Sequence, residues 1–374
     1  MKFAISLLNY RPGRIGGTET YLRELVAALA AAGESDEVVL VTYRDAADAL
    51  PACGLPQVVA DRSDRQVVAA RCLEAFTPYR ARWADQLFAR IDPDAILFPQ
   101  QSIFPRRVAA PCVLTVHDMQ HLFIPHYFSR FDRAFRAAVY PASLRRADRI
   151  IAISNFTRAA LLERCGIPPE KVVTVPHGFA PASVAQAATA NDAAACLPAG
   201  PFLYYPASTH PHKNHAVLLT TLAELRRRGE LEYQLVLSGV RTRHWPQLAR
   251  RIEQLGLGDV VEFTGLLPYH QVARYYAAAA AVVIPSQFEG FGLPVLEAVA
   301  HGKKVIVSDL EVFRELGVPD AWRIDFRDPD QLLRALRQPG TTRLTRSPST
   351  WHDCARATLE VLRSAARSPT AARA

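Results

Sequence analysis

Short apolar runs alternate with amphipathic stretches along most of the chain. In the first half, five runs are typical of strands: KFAISLLN at residues 2–9, EVVLVTY, DAILF, CVLTV and RIIAIS. TETYLRELVAALAAAG, residues 18–33, instead has the 3.6-residue period of a helix and ends at a glycine. The strand candidates are apolar nearly throughout, which favours a parallel sheet covered on both faces.

The same alternation starts again near residue 200. FAPASVAQAATANDAAACLPAG, residues 179–200, is rich in alanine and indicates a linker, and the predicted strands FLYYP, QLVLSG, VVEFTG, AVVIPS and KVIVSD follow it. Two successive βαβ sets predict an α/β protein with two Rossmann-like doubly wound parallel-sheet domains, facing each other across a cleft. We expect an N-terminal domain over residues 1–180, a linker over 181–200, a second domain over 201–348, and a C-terminal helix with a frayed tail over 349–374.

Composition narrows the functional classes. The chain has 374 residues, of which 49% are hydrophobic, and it contains no apolar run of the roughly 18 residues that a membrane span needs. Its six cysteines form no C-x-x-C pair, which indicates free thiols in a reducing cytoplasm and no zinc site. The net charge of +8 comes without a run of five basic residues or a nucleic-acid motif, so we expect no nucleic-acid partner.

SQFEGFGLPVLEA, residues 286–298, is the stretch richest in candidate chemistry. It follows an apolar strand and places Glu289 and Glu297 on either side of a glycine-rich turn. Gly290 and Gly292 allow a close backbone approach, and Pro294 suits the start of a helix whose N-terminus favours an anion. Carboxylates suit the hydroxyls of a ribose or a hexose, so both could face one ligand. The alternative is a helix-capping loop with two solvated glutamates.

Two loops of the first domain also follow strands. Gly16 and Gly17 precede the first helix, with Thr18 as a candidate N-cap, but their spacing is not that of a G-x-G-x-x-G dinucleotide site. His117 follows the strand CVLTV and could donate a hydrogen bond to a sugar or fix its own loop. His117 and His121 have a spacing that a metal could use, but no third ligand has motif spacing.

The loop after the first strand of the second domain, YYPASTHPHKNH, contains a compact cation, Lys213, that can meet a diphosphate. We expect Asn214 to cap the following helix. Gly265 stands at a further strand end of the same sheet.

Together these motifs resemble a retaining glycosyltransferase of family 4 with the GT-B fold. The resemblance rests on four features in one order along nearly the whole chain: the GG before the first helix, HD after a strand, HKN in the second domain, and PSQFEGFGLPVLEA. Each motif alone is weak, and the four in register are specific.

The resemblance implies that the second domain holds a nucleotide-diphosphate sugar and the first holds the acceptor. It assigns the transferred sugar to Glu289 and His117, the ribose hydroxyls to Glu297, and the diphosphate to Lys213. It further implies that the Gly16–Gly17 loop closes on the diphosphate. The other donor-binding residues that we expect lie in strand-end loops: Gly265, Gly290, Phe291, Gly292, Leu293, His212 and Asn214. Gly292 and Leu293 would present backbone N–H groups to the phosphates.

The expected activity is transfer of a hexose, such as mannose or rhamnose, to a glycan or lipid-linked acceptor in surface polysaccharide or lipopolysaccharide assembly. No metal and no cofactor are expected. The Arg-rich stretch Arg65–Arg90 would allow contact with the inner face of the membrane from the cytoplasm, or it would pack on its own sheet. The alternatives are another GT-B enzyme of epimerase type and a catalytically silent GT-B scaffold.

One feature departs from the family pattern. The family usually has an arginine directly before the lysine or several residues upstream, and here His212 and Ser208 occupy these places. A second phosphate cation would then have to come from Arg241 or Arg243.

Overall fold

The computed structural model describes residues 1–12, 17–32, 35–49, 54–180 and 197–367. They form two compact units, Met1–Gly178 with Ser349–Ala374, and Phe179–Pro348. Most of the expected linker, at residues 181–196, and the expected frayed tail after residue 367 lie outside the described residues. Each unit contains one parallel sheet with helices, which confirms the expectation of two Rossmann-like α/β domains.

The first unit has a seven-stranded sheet in the order β3-β2-β1-β4-β5-β6-β7. Its strands are β1 (Lys2–Ser6), β2 (Glu37–Tyr43), β3 (Gln57–Ala60), β4 (Ala95–Phe98), β5 (Cys112–Val116), β6 (Arg149–Ala152) and β7 (Val172–Thr174). Its helices before the linker are α1 (Gly17–Ala31), α2 (Asp64–Phe76), α3 (Arg82–Ile91), α4 (Gln120–Phe123), α5 (Arg130–Arg146) and α6 (Asn155–Cys165). The central strands β4 and β5 are buried at every position, as the apolar runs predicted.

One local expectation in this unit is corrected, and two of its strands were not predicted. Thr18 is not the N-cap of α1, because the helix already begins at Gly17 and Thr18 lies in its first turn. The short strands β3 and β7 did not stand out in the sequence, because both are edge strands with exposed positions and therefore lack a continuous apolar run.

The second unit has a six-stranded sheet in the order β10-β9-β8-β11-β12-β13. Its strands are β8 (Phe202–Pro206), β9 (Gln234–Ser238), β10 (Val261–Gly265), β11 (Ala281–Ile284), β12 (Lys304–Ser308) and β13 (Arg323–Ile324). Its helices are α7 (His215–Arg227), α8 (Trp245–Gln254), α9 (Tyr269–Ala278), α10 (Leu293–Ala300), α11 (Glu311–Glu315) and α12 (Pro329–Arg337).

The strand order of the second sheet reverses at β8. That strand pairs with β9 on one side and with β11 on the other, both in parallel. Loops that leave β8 and β11 therefore diverge at a topological switch point, where doubly wound sheets bind their ligands. These are the loops that carry Lys213 and Glu289.

The last helix, α13 (Trp351–Arg367), returns to the first unit. It contacts α1 and the strands β4, β5 and β6. The Trp351 ring lies against Tyr21 and His177, and a Cβ atom on Gly178 would stand 2.3 Å from the Trp351 Cα atom. Near the other end of the helix, Arg363 donates to Asp36 at 2.7 Å. The helix thus completes a unit whose other elements all precede residue 179.

Candidate active site

Two loops of the second unit are joined at the switch point. The backbone N–H of Gln287, in the loop after β11, donates to the His212 carbonyl at 2.8 Å. Asn214 donates its side-chain amide to the Pro285 carbonyl at 3.0 Å, and Gln287 donates back to the Asn214 amide oxygen at 3.4 Å. The loops therefore form one connected surface.

These bonds correct the expected role of Asn214. The residue stands at the N-cap position of α7, but its φ of 59° is left-handed and its side chain makes no hydrogen bond to the helix. A backbone in this conformation directs the side chain away from the first-turn N–H groups, where an extended N-cap residue would reach them. Asn214 fastens the two loops together instead.

Lys213 and Glu289, which are 76 residues apart, form an ion pair at the centre of this surface. The Lys213 Nζ atom lies 2.7 Å from the Glu289 Oε1 atom, and the two side chains are 20% and 12% exposed. A charge-assisted hydrogen bond in a partly buried place is stronger than an exposed ion pair. The sequence suggested both residues, but it did not indicate that they contact each other.

Tyr205 holds the backbone of Lys213 through a hydrogen bond. Its hydroxyl donates to the Lys213 carbonyl at 2.8 Å and lies 3.1 Å from the hydroxyl of Ser286, which is fully buried. Burial, with the nearby Glu289 charge, raises the pKa of Tyr205 well above its ordinary value, so the phenol stays protonated. The sequence analysis missed Tyr205, although a tyrosine in an apolar strand usually needs a polar partner for its hydroxyl.

The helix α10 begins directly after this loop, and its start requires a glycine. Gly292 has a φ of 107°, and a Cβ atom there would approach the Phe313 ring to 3.0 Å. Leu293 is the first helical residue. The positive end of the α10 dipole thus lies four residues after Glu289, in the loop that carries the ion pair, and a helix N-terminus favours an anion.

Glu297 extends from α10 toward the buried Tyr276 and is itself partly exposed. It accepts a hydrogen bond from the Tyr276 hydroxyl at 2.7 Å, and burial raises its pKa to about 7, against the lowering effect of that hydrogen bond. The alternative of two solvated glutamates is therefore wrong, since Glu289 is ion-paired and Glu297 is hydrogen-bonded inside the fold. Tyr276 was another residue that the sequence analysis missed.

The histidines of the β8 loop bring no charge. Burial, with the Lys213 charge second, lowers the pKa of His212 to about 2, and burial lowers that of His215 to about 3. Arg241 follows β9, and its guanidinium lies 4.9 Å from the Trp245 ring centre and 5.1 Å from that of Phe263. The positive charge of the β8 loop therefore rests on Lys213.

Gly265 lies farther away in the sheet. It ends β10, the outermost strand, at a φ of 81° and after a register shift, and β9 separates it from β8. Gly265 is thus two strands away from β8, and its carbonyl accepts a hydrogen bond at 2.8 Å from the Gly239 N–H at the end of β9. Gly290 and Phe291 continue the loop from Glu289 toward α10.

In the first unit, His117 is buried at the end of β5. Its Nε2 atom lies 2.8 Å from the Pro99 carbonyl, which can only accept, so Nε2 carries the proton. Burial lowers the pKa of His117, and the ring stays neutral. Gln101 holds the same loop, because its side-chain oxygen accepts from the His117 and Asp118 backbone N–H groups at 2.7 and 2.9 Å.

The structure describes one of the two glycines of the pair at the start of α1. Gly16 lies outside the described residues, and Gly17 is the exposed first residue of α1. A side chain at Gly17 would meet open space. The position therefore leaves room for a ligand but does not identify one.

Within residues 1–12, 17–32, 35–49, 54–180 and 197–367, no group of three His, Cys, Asp or Glu side chains has the arrangement of a metal site. His117 and His121 thus have no third ligand of these types among those residues. Across the same ranges, every helix is too short or too polar to span a bilayer.

Comparisons with known proteins agree with this architecture. The family model described as Glycosyltransferase Family 4 matches residues 15–182, and the model described as Glycosyl transferases group 1 matches residues 198–341. The O-antigen chain mannosyltransferase B of Escherichia coli is 27% identical, over 90% of this chain and 89% of its own. The O-antigen chain mannosyltransferase RfbU of Salmonella typhimurium is 26% identical, over 54% of this chain and 53% of its own.

Among solved structures, the chain is similar to Anabaena Alr3699/HepE, crystallised in complex with UDP and glucose. The TM-score is 0.62 at 20% identity, with 98% of this chain and 97% of that chain covered. At this identity the likeness shows a common fold.

Proposed function

The chain belongs to glycosyltransferase family 4, and on that basis we propose that it moves a hexose, such as mannose or rhamnose, from a nucleotide-diphosphate sugar to a glycan or lipid-linked acceptor. The similarity to two O-antigen chain mannosyltransferases supports a role in surface polysaccharide or lipopolysaccharide assembly. The nucleotide sugar is a substrate in this proposal, and no separate cofactor takes part.

The Lys213–Glu289 pair is the observation that carries the donor assignment. Breaking the bond between a sugar and a nucleoside diphosphate develops negative charge on the leaving phosphate and positive charge on the sugar. An ammonium and a carboxylate 2.7 Å apart, beside the N-terminus of α10, provide one charge for each side of that bond. Glu297 would receive the ribose hydroxyls.

We also propose that the transfer retains the anomeric configuration and needs no metal. Lys213, the N-terminus of α10 and the backbone N–H groups of Gly292 and Leu293 would meet the phosphate charge that a metal ion meets elsewhere. Activity should then persist in excess EDTA. Activity that disappears with EDTA and returns with Mg²⁺ or Mn²⁺ would contradict the proposal.

Peripheral contact with the inner face of a membrane is a further part of the proposal. Near the end of α2, the rings of Phe76 and Phe131 are 49% and 60% exposed with their centres 6.0 Å apart. Three exposed arginines lie near these rings in the chain: Arg80 in the turn between α2 and α3, Arg82 at the start of α3, and Arg130 at the start of α5. Apolar rings with arginines suit the interface of an anionic bilayer.

Vesicle flotation tests this contact. The wild type should float with vesicles that contain anionic lipid, and a variant with Phe76→Ser and Phe131→Ser should float less. Equal binding of the wild type to neutral and anionic vesicles would count against membrane contact.

The donor assignment is tested by nucleotide-sugar screening. UDP-, GDP- and dTDP-sugars are compared for thermal stabilisation of the purified protein, and the stabilising sugar is then assayed for hydrolysis and transfer. Lys213→Met should reduce the stabilisation strongly, whereas Arg250→Met, which removes an exposed cation from the same unit, should not. A donor that binds but is neither hydrolysed nor transferred would favour the silent scaffold.

A further inference from the structure

A polar cavity of about 250 Å³ lies in the first unit, at the carboxyl ends of β1, β4 and β5. Small-ligand pockets usually measure about 300–1,000 Å³, so this one suits a group of monosaccharide size. Its lining comes from strand-end loops and from the helices α1, α2, α4 and α5, and it includes Asn9, Arg71, Gln100, His117, Asp118 and Arg136. The cavity thus borders His117 but extends well beyond it.

Arg71 reaches this cavity from α2 without a carboxylate partner. Throughout the part of the chain that the structure describes, its guanidinium makes neither an ion pair nor a hydrogen bond, and its contact is with the Phe135 ring, 6.0 Å away. Burial lowers the pKa of Arg71, as expected when no anion compensates the charge. An arginine in a cavity without a carboxylate is suited to a ligand anion.

Arg136 reaches the same cavity from α5. Among the described residues it donates one hydrogen bond, to the Tyr140 hydroxyl at 2.8 Å, and its guanidinium lies 4.5 Å from the Phe128 ring centre. A guanidinium has five N–H donors, so the phenol occupies a minor part of its capacity. Asp118 is the acidic residue of the lining, and it forms no ion pair with either arginine among the described residues.

Asn9 and Gln100 of the same lining are nearly buried amides. Asn9 and Gln100 are 7% and 8% exposed, and their side-chain oxygens have no hydrogen-bond partner within the described ranges. The Asn9 amide N–H already donates to the Ser102 carbonyl at 2.8 Å, which fixes its oxygen as the free group. Buried acceptors without partners are costly, and sugar hydroxyls would satisfy them.

We propose that this cavity is an acceptor subsite for a saccharide that carries an oxyanion, with Arg71 and Arg136 binding the anion and Asn9 and Gln100 accepting from the hydroxyls. The inference rests on the proposed function, because it identifies the cavity with the acceptor side of the transfer. The oxyanion is a phosphate or a carboxylate, and both suit the planar guanidinium fork.

Binding of three simple probes tests the subsite in the full-length protein. Glucose 1-phosphate, glucuronate and methyl α-glucoside are titrated in the presence of whichever of UDP and GDP stabilises the protein, so that the donor site is filled. We expect at least one anionic probe to bind about tenfold or more tightly than the neutral glucoside. Whichever anionic probe binds more tightly identifies the anion as phosphate or carboxylate.

Variants of Arg71 and Arg136 test whether the preference for an anionic probe arises in the cavity. Arg71→Met and Arg136→Met should each remove most of it, whereas Arg133→Met, on the exposed side of α5, should leave it unchanged. If a methionine variant does not fold, Arg71→Lys and Arg136→Lys keep the charge and should retain a reduced preference. Equal binding of all three probes, or a preference that survives both methionine variants, would overturn the subsite.

These experiments distinguish failure of the anion subsite from failure of the proposed transferase activity. A protein that hydrolyses a nucleotide sugar but binds all three probes equally lacks the anion subsite and keeps the proposed function. A protein that binds neither nucleoside diphosphate and hydrolyses no nucleotide sugar fails the proposed function itself. In that case the probes are titrated without nucleotide, and loss of an anion preference in Arg71→Met still reports on the cavity.

Discussion

Glu289 and the diphosphate of a bound donor would compete for one ammonium group. In the structure the Glu289 carboxylate occupies Lys213 at 2.7 Å. A nucleoside diphosphate that binds Lys213 must therefore share this cation or displace the carboxylate. We expect Glu289→Gln to bind the nucleoside diphosphate more tightly than the wild type, although its turnover falls.

The size of the effect follows from the geometry of the pair. At an effective dielectric constant of about 20, unit charges 2.7 Å apart attract by about 6 kcal/mol, and desolvation offsets most of this. The net value of a charge-assisted hydrogen bond is about 1.5–3 kcal/mol. Because Lys213 has three N–H donors, a phosphate could keep part of it, so we expect a gain of about 1–1.5 kcal/mol, or five- to tenfold in Kd. Loss of the carboxylate near the sugar should lower kcat about a hundredfold.

Isothermal titration of the nucleoside diphosphate measures this directly. Glu262→Gln is the matched control, because it removes the same charge from an exposed position of the second unit and should not change Kd. In a Lys213→Met background, Glu289→Gln should have no effect on Kd. Unchanged or weaker binding by Glu289→Gln, or a gain that persists without Lys213, would refute the competition.

Three further predictions concern stability. Because burial raises the pKa of Glu297 to about 7, ionisation of this carboxyl opposes folding above pH 7, and this cost disappears as the pH falls toward 4.5. Glu297→Gln should therefore stabilise the ligand-free protein by about 1–3 kcal/mol at pH 8 and not at pH 4.5. Thermal unfolding at both pH values measures this difference. Tyr205→Phe should lower the free energy of unfolding by about 1–3 kcal/mol and also weaken nucleoside-diphosphate binding. Tyr204→Phe loses a 2.6 Å hydrogen bond to Ser238 and should lower stability without changing this binding. Gly178→Ala should lower the unfolding temperature by an overpacking cost of about 1–3 kcal/mol, because its Cβ atom would meet the Trp351 backbone; an unchanged melting curve would contradict this contact.

The strands that are buried at nearly every position could be predicted from the sequence. The apolar runs at β1, β4, β5 and β11 have nearly every position buried, so they stand out without knowledge of their neighbours. The two-residue strand β13 did not stand out, because it is defined by pairing with β12 and not by its own pattern. The packing of α13 on the first unit was also beyond local pattern, since an amphipathic helix does not identify its partner.

The candidate site was predicted residue by residue and not as a set of contacts. Lys213 and Glu289 were found from their loops, but their ion pair depends on the adjacency of β8 and β11, which periodicity does not encode. Tyr205 and Tyr276 were hidden because aromatic residues in apolar elements first suggest core. Asn214 was misassigned because its left-handed backbone conformation cannot be read from the residue type.

The position of α13 also determines the order in which the protein can fold during synthesis. The strands β4, β5 and β6 emerge from the ribosome early, but the helix that covers them ends at residue 367, roughly 190 residues after Gly178. At about 5–20 residues per second, translation of this interval takes about 10–40 s. The second unit can close within that time, while the nascent first unit still exposes an apolar face that chaperones or other nascent chains can bind. A chain that terminates before Trp351 should therefore lose its first unit, although all strands of that unit would be present.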